Sequence, residues 1–449
     1  MNCFEHIKSK LSFLLLLIIL HGMINCKAQW IDVGVPVTEY WSTNNIIAAD
    51  TNGIIYYACT ENKPGSIPKP VLKKFDGTSW VTFMFEYDTL SQIEFEEALI
   101  DKYNQLNVFY RMDKQIWDVN NNYSYTIKQY GCKVLRSNGW QDLTGTWLDT
   151  DTNQFFLHAS IDKNNNVYCV ITTQNNLLIK KWNGLGWTNY TSSGLPPYKY
   201  KHRIAFSEGE IYLAILNTAT FSTEVYRYNQ NQWMQVGNFY SGNAEVKLLN
   251  TPDDNLYLTY KNKCVRFNKA AQQWQDVGSM MTDIFGDEYD FRSDEKSNLF
   301  VSTSALASQV AKCYYFDGTN WVNIDSRVSE NIAGETRLTV NNNHLYVGYN
   351  DFGISKAVVR KYELNIGFGK LSKNETGIYF SESSLFVRNP GNKPLVLNLL
   401  SIEGKEVLTN LSLLEKENKV ELQNLAKGVY VVRLSDLSGS IIQTYKFSK

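Results

Sequence analysis

Six charged residues stand where alternating apolar patterns predict strands to begin: Arg203, Arg292 and Arg337, with Glu97, His158 and Asp290 in the same phase. Guanidinium forks grip carboxylates at two points, so three arginines turned toward one axis would hold an anionic group. A second set lies in the connecting segments that precede those strands: Trp41, Tyr87, Trp147, Tyr198, Tyr240 and Tyr289. Aromatic rings gathered on one rim would stack on sugar faces or anchor a protein partner. No Ser-His-Asp order, phosphate-binding glycine loop or His-x-x-x-His pattern accompanies them, and no Cys-Cys or Cys-His pair has zinc spacing. Asp-rich turns such as Asp162 to Asn166 lack the carboxylate series ending in Glu that a calcium hand uses, and Asx turns explain them. The expectation is therefore a binding or adhesion module for a glycan or protein ligand, with no catalytic residue, cofactor or metal assigned. The alternative is a secreted glycan-active hydrolase or lyase.

The elements that would position these residues are written as a repeat. One phrase recurs at a period of about 40–60 residues, the range of propellers and solenoids: Phe75-Asp76-Gly77-Thr78-Ser79-Trp80, Trp182-Asn183-Gly184-Leu185-Gly186-Trp187 and Phe316-Asp317-Gly318-Thr319-Asn320-Trp321, with variants closing at Trp140, Trp233 and Trp274. Asp-Gly or Asn-Gly supplies the φ > 0 turn of a hairpin, and the returning strand carries its Trp. Before each stands a second hairpin with an Asp/Asn-rich turn, as in Ala48-Ala49-Asp50-Thr51-Asn52-Gly53-Ile54. Two hairpins make a four-stranded blade. The last repeat, ending at Val358-Val359-Arg360-Lys361-Tyr362, lacks its Trp, while Gln29-Trp30-Ile31-Asp32-Val33-Gly34 near the other end copies Gln273-Trp274-Gln275-Asp276-Val277-Gly278. An N-terminal strand that completes the last blade would close the ring and remove its open edges. The expected fold is all-β: a seven-bladed β-propeller, with six or eight blades open because Trp117 and Trp147 are extra, followed by a small antiparallel β-sandwich. The Asp-x-x-x-Asn-x-Tyr hairpin resembles the NHL-type repeat, and the aromatic-Asp-Gly-x-x-Trp hairpin is similar to kelch repeats without their paired glycines. Both motifs are structural and imply no activity.

Composition agrees with this reading. Aromatic residues make up 14 % of the 449-residue chain, which suits short half-buried strands. Lys and Arg number 44 against 45 Asp and Glu, so no basic excess marks a nucleic-acid surface. The basic Lys8-Ser9-Lys10 followed by the apolar Leu11 to Leu20 reads as a signal peptide, with cleavage after Ala28 and acylation at Cys26 as the competing outcome. No later stretch approaches the ~20 apolar residues of a spanning helix. Cys59, Cys132, Cys169, Cys264 and Cys313 then remain, an odd number, each in an apolar strand pattern and expected to be a buried thiol.

From about Gly367 the repeat stops. Phe386-Val387-Arg388-Asn389-Pro390, Gly404-Lys405-Glu406-Val407, Leu425-Ala426-Lys427-Gly428-Val429-Tyr430-Val431-Val432-Arg433 and the terminal Lys446-Phe447-Ser448-Lys449 follow in order. This series resembles the type A C-terminal sorting domain of the type IX secretion system, with Asn389, Pro390, Gly404, Lys405, Gly428, Tyr430 and Arg433 as its motif residues. The resemblance implies recognition by the outer-membrane export machinery as partner, then passage through the periplasm to the medium or outer cell surface. The expected organisation is residues 1–28 as signal peptide, 29–366 as propeller and 367–449 as sorting domain.

Overall fold

The computed structural model describes residues 30–448 except 84, 86–90, 119–121, 145–153, 174–176, 197–199, 218, 239, 242–245, 261, 280–288, 305–309, 326, 342, 365–376, 382–383, 390–392, 402–403, 416, 423–424 and 427. The segment read as a signal peptide lies outside the described residues. The chain divides into two compact units, Trp30–Tyr362 and a tail from Glu363.

Seven antiparallel sheets make up the first unit. Blade 1 is Ser42–Ala49, Ile55–Glu61, Lys69–Phe75 and Trp80–Thr82, and five further blades repeat that order, with inner strands Ser91–Ile100, Gln154–Ile161, Tyr200–Ser207, Val246–Asn250 and Tyr289–Ser293. Blade 7 is built from Ala333–Asn341, His344–Asp351 and Lys356–Glu363, and its outer strand is Ile31–Asp32, which pairs Ile31 with Lys361 and Asp32 with Arg360. The split-blade closure read from the Trp30 phrase is therefore present. Each inner strand touches the inner strands of both neighbouring blades all the way round. Buried side chains collect between blades, as where Ile46, Ala58 and Leu72 of blade 1 meet Ile93, Phe95 and Val108 of blade 2.

The repeated Trp does more than pack against its own hairpin partner. Within the blade it tilts onto the aromatic residue across the turn, at 5.3 Å for Phe75 and Trp80 and 5.0 Å for Phe267 and Trp274. Its indole N–H reaches the preceding blade, where it donates to a main-chain carbonyl just past the outer strand. Trp80 donates to Val33 O, Trp187 to Leu143 O, Trp233 to Thr191 O, Trp321 to Val277 O and, across the closure, Trp30 to Ile324 O. Gly34 lets that carbonyl approach: its φ is +68°, and a Cβ there would sit 2.9 Å from the Phe75 ring.

The Asp-rich turns are Asx turns. Oδ1 of Asp50 accepts the N–H groups of Asn52 and Ile54, and Asp162 and Asp294 repeat the pattern. The five cysteines among the described residues are buried and free, and burial pushes their thiols well above the ordinary range.

The tail forms two sheets. Gly377–Ser381, Ser384–Arg388 and Glu417–Glu421 make one, and Leu395–Ser401, Glu406–Leu413, Val429–Asp436 and Ile441–Ser448 make the other. Their apolar sides share a core that includes Leu385, Val387, Leu397, Leu399, Val432 and Leu434.

Candidate functional site

The register of the first hairpin in each blade identifies seven equivalent positions on the inner strands. Ile46, Glu97, His158, Arg203, Lys247, Asp290 and Arg337 pair with Ala58, Phe109, Val170, Ala214, Thr259, Ser302 and Gly348 respectively. Six of the seven are ionisable. They line one cavity of about 190 Å³ on the propeller axis, joined by Arg292 from the next layer of blade 6 and by Glu96. Two consecutive glutamates reach the same cavity because blade 2 carries a β-bulge between Phe95 and Glu97, which breaks the strict alternation of side chains. Inner strands of blades 1, 3, 4 and 7 are bulged just ahead of their ring residues as well.

The charges are organised rather than scattered. Glu97 Oε1 lies 3.4 Å from Arg292 Nη2 across the axis, and Glu97 Oε2 lies 3.9 Å from His158 Nε2. His158 Nδ1 accepts the Ile204 N–H at 3.2 Å, so Nε2 bears the ring proton and points it at Glu97. Burial, with Arg203 and His202 adding to it, holds His158 well below the usual histidine range, hence neutral. Asp290 accepts the N–H groups of Phe291 and Leu338 and pairs with Arg292 Nε at 3.3 Å. Burial alone would raise the Asp290 carboxyl, but Arg292, Lys247 and Arg337 outweigh it and hold the carboxyl below its ordinary value. Glu96 goes the other way: burial lifts it to about 7 against the pull of Arg111. Arg203 is held by its own surroundings, donating Nη1 to His202 O at 2.9 Å with its guanidinium 5.0 Å over the Phe156 ring.

Arg203, Arg292, Arg337, Glu97, His158 and Asp290, expected to share a phase, are thus together in one cavity. Sequence reading missed Lys247 and Glu96. Lys247 was signalled by a lone charge in Val246-Lys247-Leu248-Leu249, whereas no pattern announces the bulge that turns Glu96 inward. The aromatic rim is a different matter. Trp41 is exposed, at 41 %. Tyr240 is half-buried, stacked on Tyr260 at 4.1 Å in a short strand that pairs with Ser222 and Thr223. Tyr289 corrects the expectation: it is 1 % exposed, because it opens an inner strand and its hydroxyl is engaged with Thr259. Tyr87, Trp147 and Tyr198 lie outside the described residues. Trp117, not counted in that set, is 59 % exposed on the long hairpin of blade 2, Leu106–Asp118 with Tyr123–Arg136. Among the described residues no group of three or more His, Cys, Asp or Glu is arranged to hold a metal ion.

In the tail, Asn389 is buried and donates Nδ2 to Lys393 O at 2.6 Å, and the Tyr430 hydroxyl donates to Ala426 O at 2.8 Å. These two motif residues fasten turns. Gly404, at φ +81°, shapes the turn that Lys405 leaves, and Lys405, Gly428 and Arg433 are exposed. Pro390 lies outside the described residues.

Residues 381–446 match the family model described as the secretion system C-terminal sorting domain. Among solved structures, a protein of unknown function from Dyadobacter fermentans is similar at 12 % identity and TM-score 0.44, over 75 % of this chain and 98 % of its own. Trypanosoma rangeli sialidase in complex with sialic acid aligns at 11 % identity and TM-score 0.44 over 91 % and 83 %, and a PL25 ulvan lyase at 11 % and 0.42 over 75 % and 96 %. At such identities and scores these likenesses assign no activity. No curated protein matches the chain. The class is that of a seven-bladed β-propeller followed by a sorting tail. The tail is a type IX secretion sorting domain, which addresses the protein through the periplasm to the outer cell surface or the medium.

Proposed function

We propose that the propeller is an exported binding module that takes an anionic group of its glycan or protein ligand into the axial cavity. The observation that carries this reading is the adjacency of Arg203 and Lys247 at equivalent positions of neighbouring blades. With Arg292 and Arg337 they place four cations against Glu96, Glu97 and Asp290 in one small cavity. Two cations on neighbouring blades can converge on one anion, each offering it charge-assisted hydrogen bonds.

A glycan-active enzyme is the second reading, favoured by one observation. Glu96, whose carboxyl burial lifts to about 7, lines the same cavity as Glu97 and His158, so a carboxyl able to carry a proton near neutral pH stands among them.

One experiment addresses both. The secreted protein and its Arg203→Gln/Lys247→Gln variant are applied to an array of acidic and neutral glycans and proteins, with product release from the same ligands followed alongside. Binding of acidic ligands that the variant loses, without turnover, is expected. Retention by the variant removes the cavity reading, and turnover that Glu96→Gln abolishes establishes the enzyme.

A further inference from the structure

The polar groups of the cavity are not those of a bare anion trap. Asp290 of blade 6 is taken up by Arg292, and the four blades before it group their side chains in pairs. Blades 4 and 5 contribute Arg203 and Lys247, and blades 2 and 3 contribute Glu97 and His158. A sulfate, phosphate or simple carboxylate would use the first pair and be repelled by Glu97. A ligand suited to both walls carries a negative group on one side and hydroxyls on the other.

Glu97 is positioned to receive hydroxyls. Its Oε1 accepts a long hydrogen bond from Arg292 Nη2 at 3.4 Å, while its Oε2 lies 3.9 Å from His158 Nε2, beyond hydrogen-bond reach, which leaves room for a hydroxyl between the two. The neutral His158 offers Nε2–H beside it as a donor, and a donor next to a carboxylate acceptor matches one hydroxyl, which accepts from the first and donates to the second. On the neighbouring blade the Arg203 guanidinium is held by His202 O and the Phe156 ring, which lowers the ordering cost of gripping a carboxylate. The cavity, about 190 Å³, is smaller than the roughly 300–1,000 Å³ of pockets that enclose drug-sized ligands, so it takes one small unit.

We propose that the axial cavity binds a single uronic-acid unit, its carboxylate between Arg203 and Lys247 and its hydroxyls on Glu97 and His158. This deepens the binding-module reading and rests on it.

The test is calorimetric titration of the full secreted chain with galacturonate, galactose and inorganic sulfate at fixed ionic strength. Galacturonate should bind at least tenfold more tightly than either of the others, and Glu97→Gln should reduce its affinity about tenfold while leaving sulfate binding unchanged or stronger. Because Glu97→Gln removes an acceptor charge from a cavity with excess cations, better sulfate binding also reports that the variant is folded. Sulfate binding as tight as galacturonate overturns the uronate assignment and leaves the anionic reading standing. Galactose binding as tight as galacturonate, or no binding of galacturonate and sulfate alike, overturns both.

Discussion

Replacing Trp30 by alanine should lower the melting temperature of the propeller by about 4–7 °C. The ring is closed by the two-residue strand Ile31–Asp32, by the main-chain bonds of Val33 N–H to Val359 O and Val37 N–H to Ala357 O that continue it, and by the Trp30 side chain ahead of it. Trp30 is 5 % exposed, lies 5.3 Å from the Tyr362 ring and donates its indole N–H to Ile324 O of blade 6. Truncating a buried Trp costs about 3–5 kcal/mol. A unit of about 330 residues unfolds with an entropy near 0.7 kcal/mol/K at ~2.1 cal/mol/K per residue, which converts that loss to the stated shift. Calorimetry on the Trp30→Ala and Trp30→Phe proteins provides the assay, with limited proteolysis of the 30–41 segment beside it. Phenylalanine keeps the ring contact and loses the hydrogen bond, so its shift should be about a quarter as large. A Trp30→Ala protein melting within about 1 °C of the parent, with no new cleavage before Ser42, would refute the closure argument.

Other consequences are equally direct. His202 is buried, with Nε2 on Val170 O and Nδ1 on the Thr172 hydroxyl, and burial drops it to about 3. The unfolded chain binds that proton from pH ~6.5 downward while the folded one does not, so stability falls between about pH 6.5 and 3, by roughly 2–3 kcal/mol at pH 4.5, and His202→Gln should flatten that limb in urea titrations at successive pH values. Gly34→Ala forces a Cβ into the left-handed region and against Phe75, so it should cost at least ~1–3 kcal/mol by denaturant melt, whereas Gly77→Ala, with open space around it, should cost only the backbone part. The native protein should be inert to a thiol reagent at pH 8 and should show five thiols in denaturant, while seven would mean that the Cys3 and Cys26 segment is retained. Removing residues 367–449 should leave a folded propeller in the periplasm, and cell fractionation that finds equal extracellular amounts with and without the tail would contradict the export role.

What was legible in the sequence follows from what is local. Asp-Gly turns, the period-2 strands and the Trp at each blade end are set by residues a few positions apart, and the copy of the Trp274 phrase at Trp30 disclosed even the long-range closure. The tail was legible because its motif residues fasten turns in a fixed order. The indole bonds from each Trp to the preceding blade were invisible, since they depend on where blades lie against one another. The charged ring was half legible: phase along the strands grouped Glu97, His158, Arg203, Asp290 and Arg337, but the bulge at Glu96 shifts phase by one residue without any local mark. The rim expectation failed at Tyr289 because an aromatic just before a strand can be the first buried residue of it, and one residue of register decides between the two.

The central claim is that the axial cavity, not the loop rim, receives the ligand. The most direct measurement is the position of a bound acidic ligand in a crystal of the secreted chain grown with the tightest array hit. An anionic group should lie within about 3 Å of Arg203 and Lys247, in keeping with charge-assisted hydrogen bonds. An acidic ligand seated instead on Trp41, Trp117 or the outer edge of a blade, with the cavity holding only water, would contradict it.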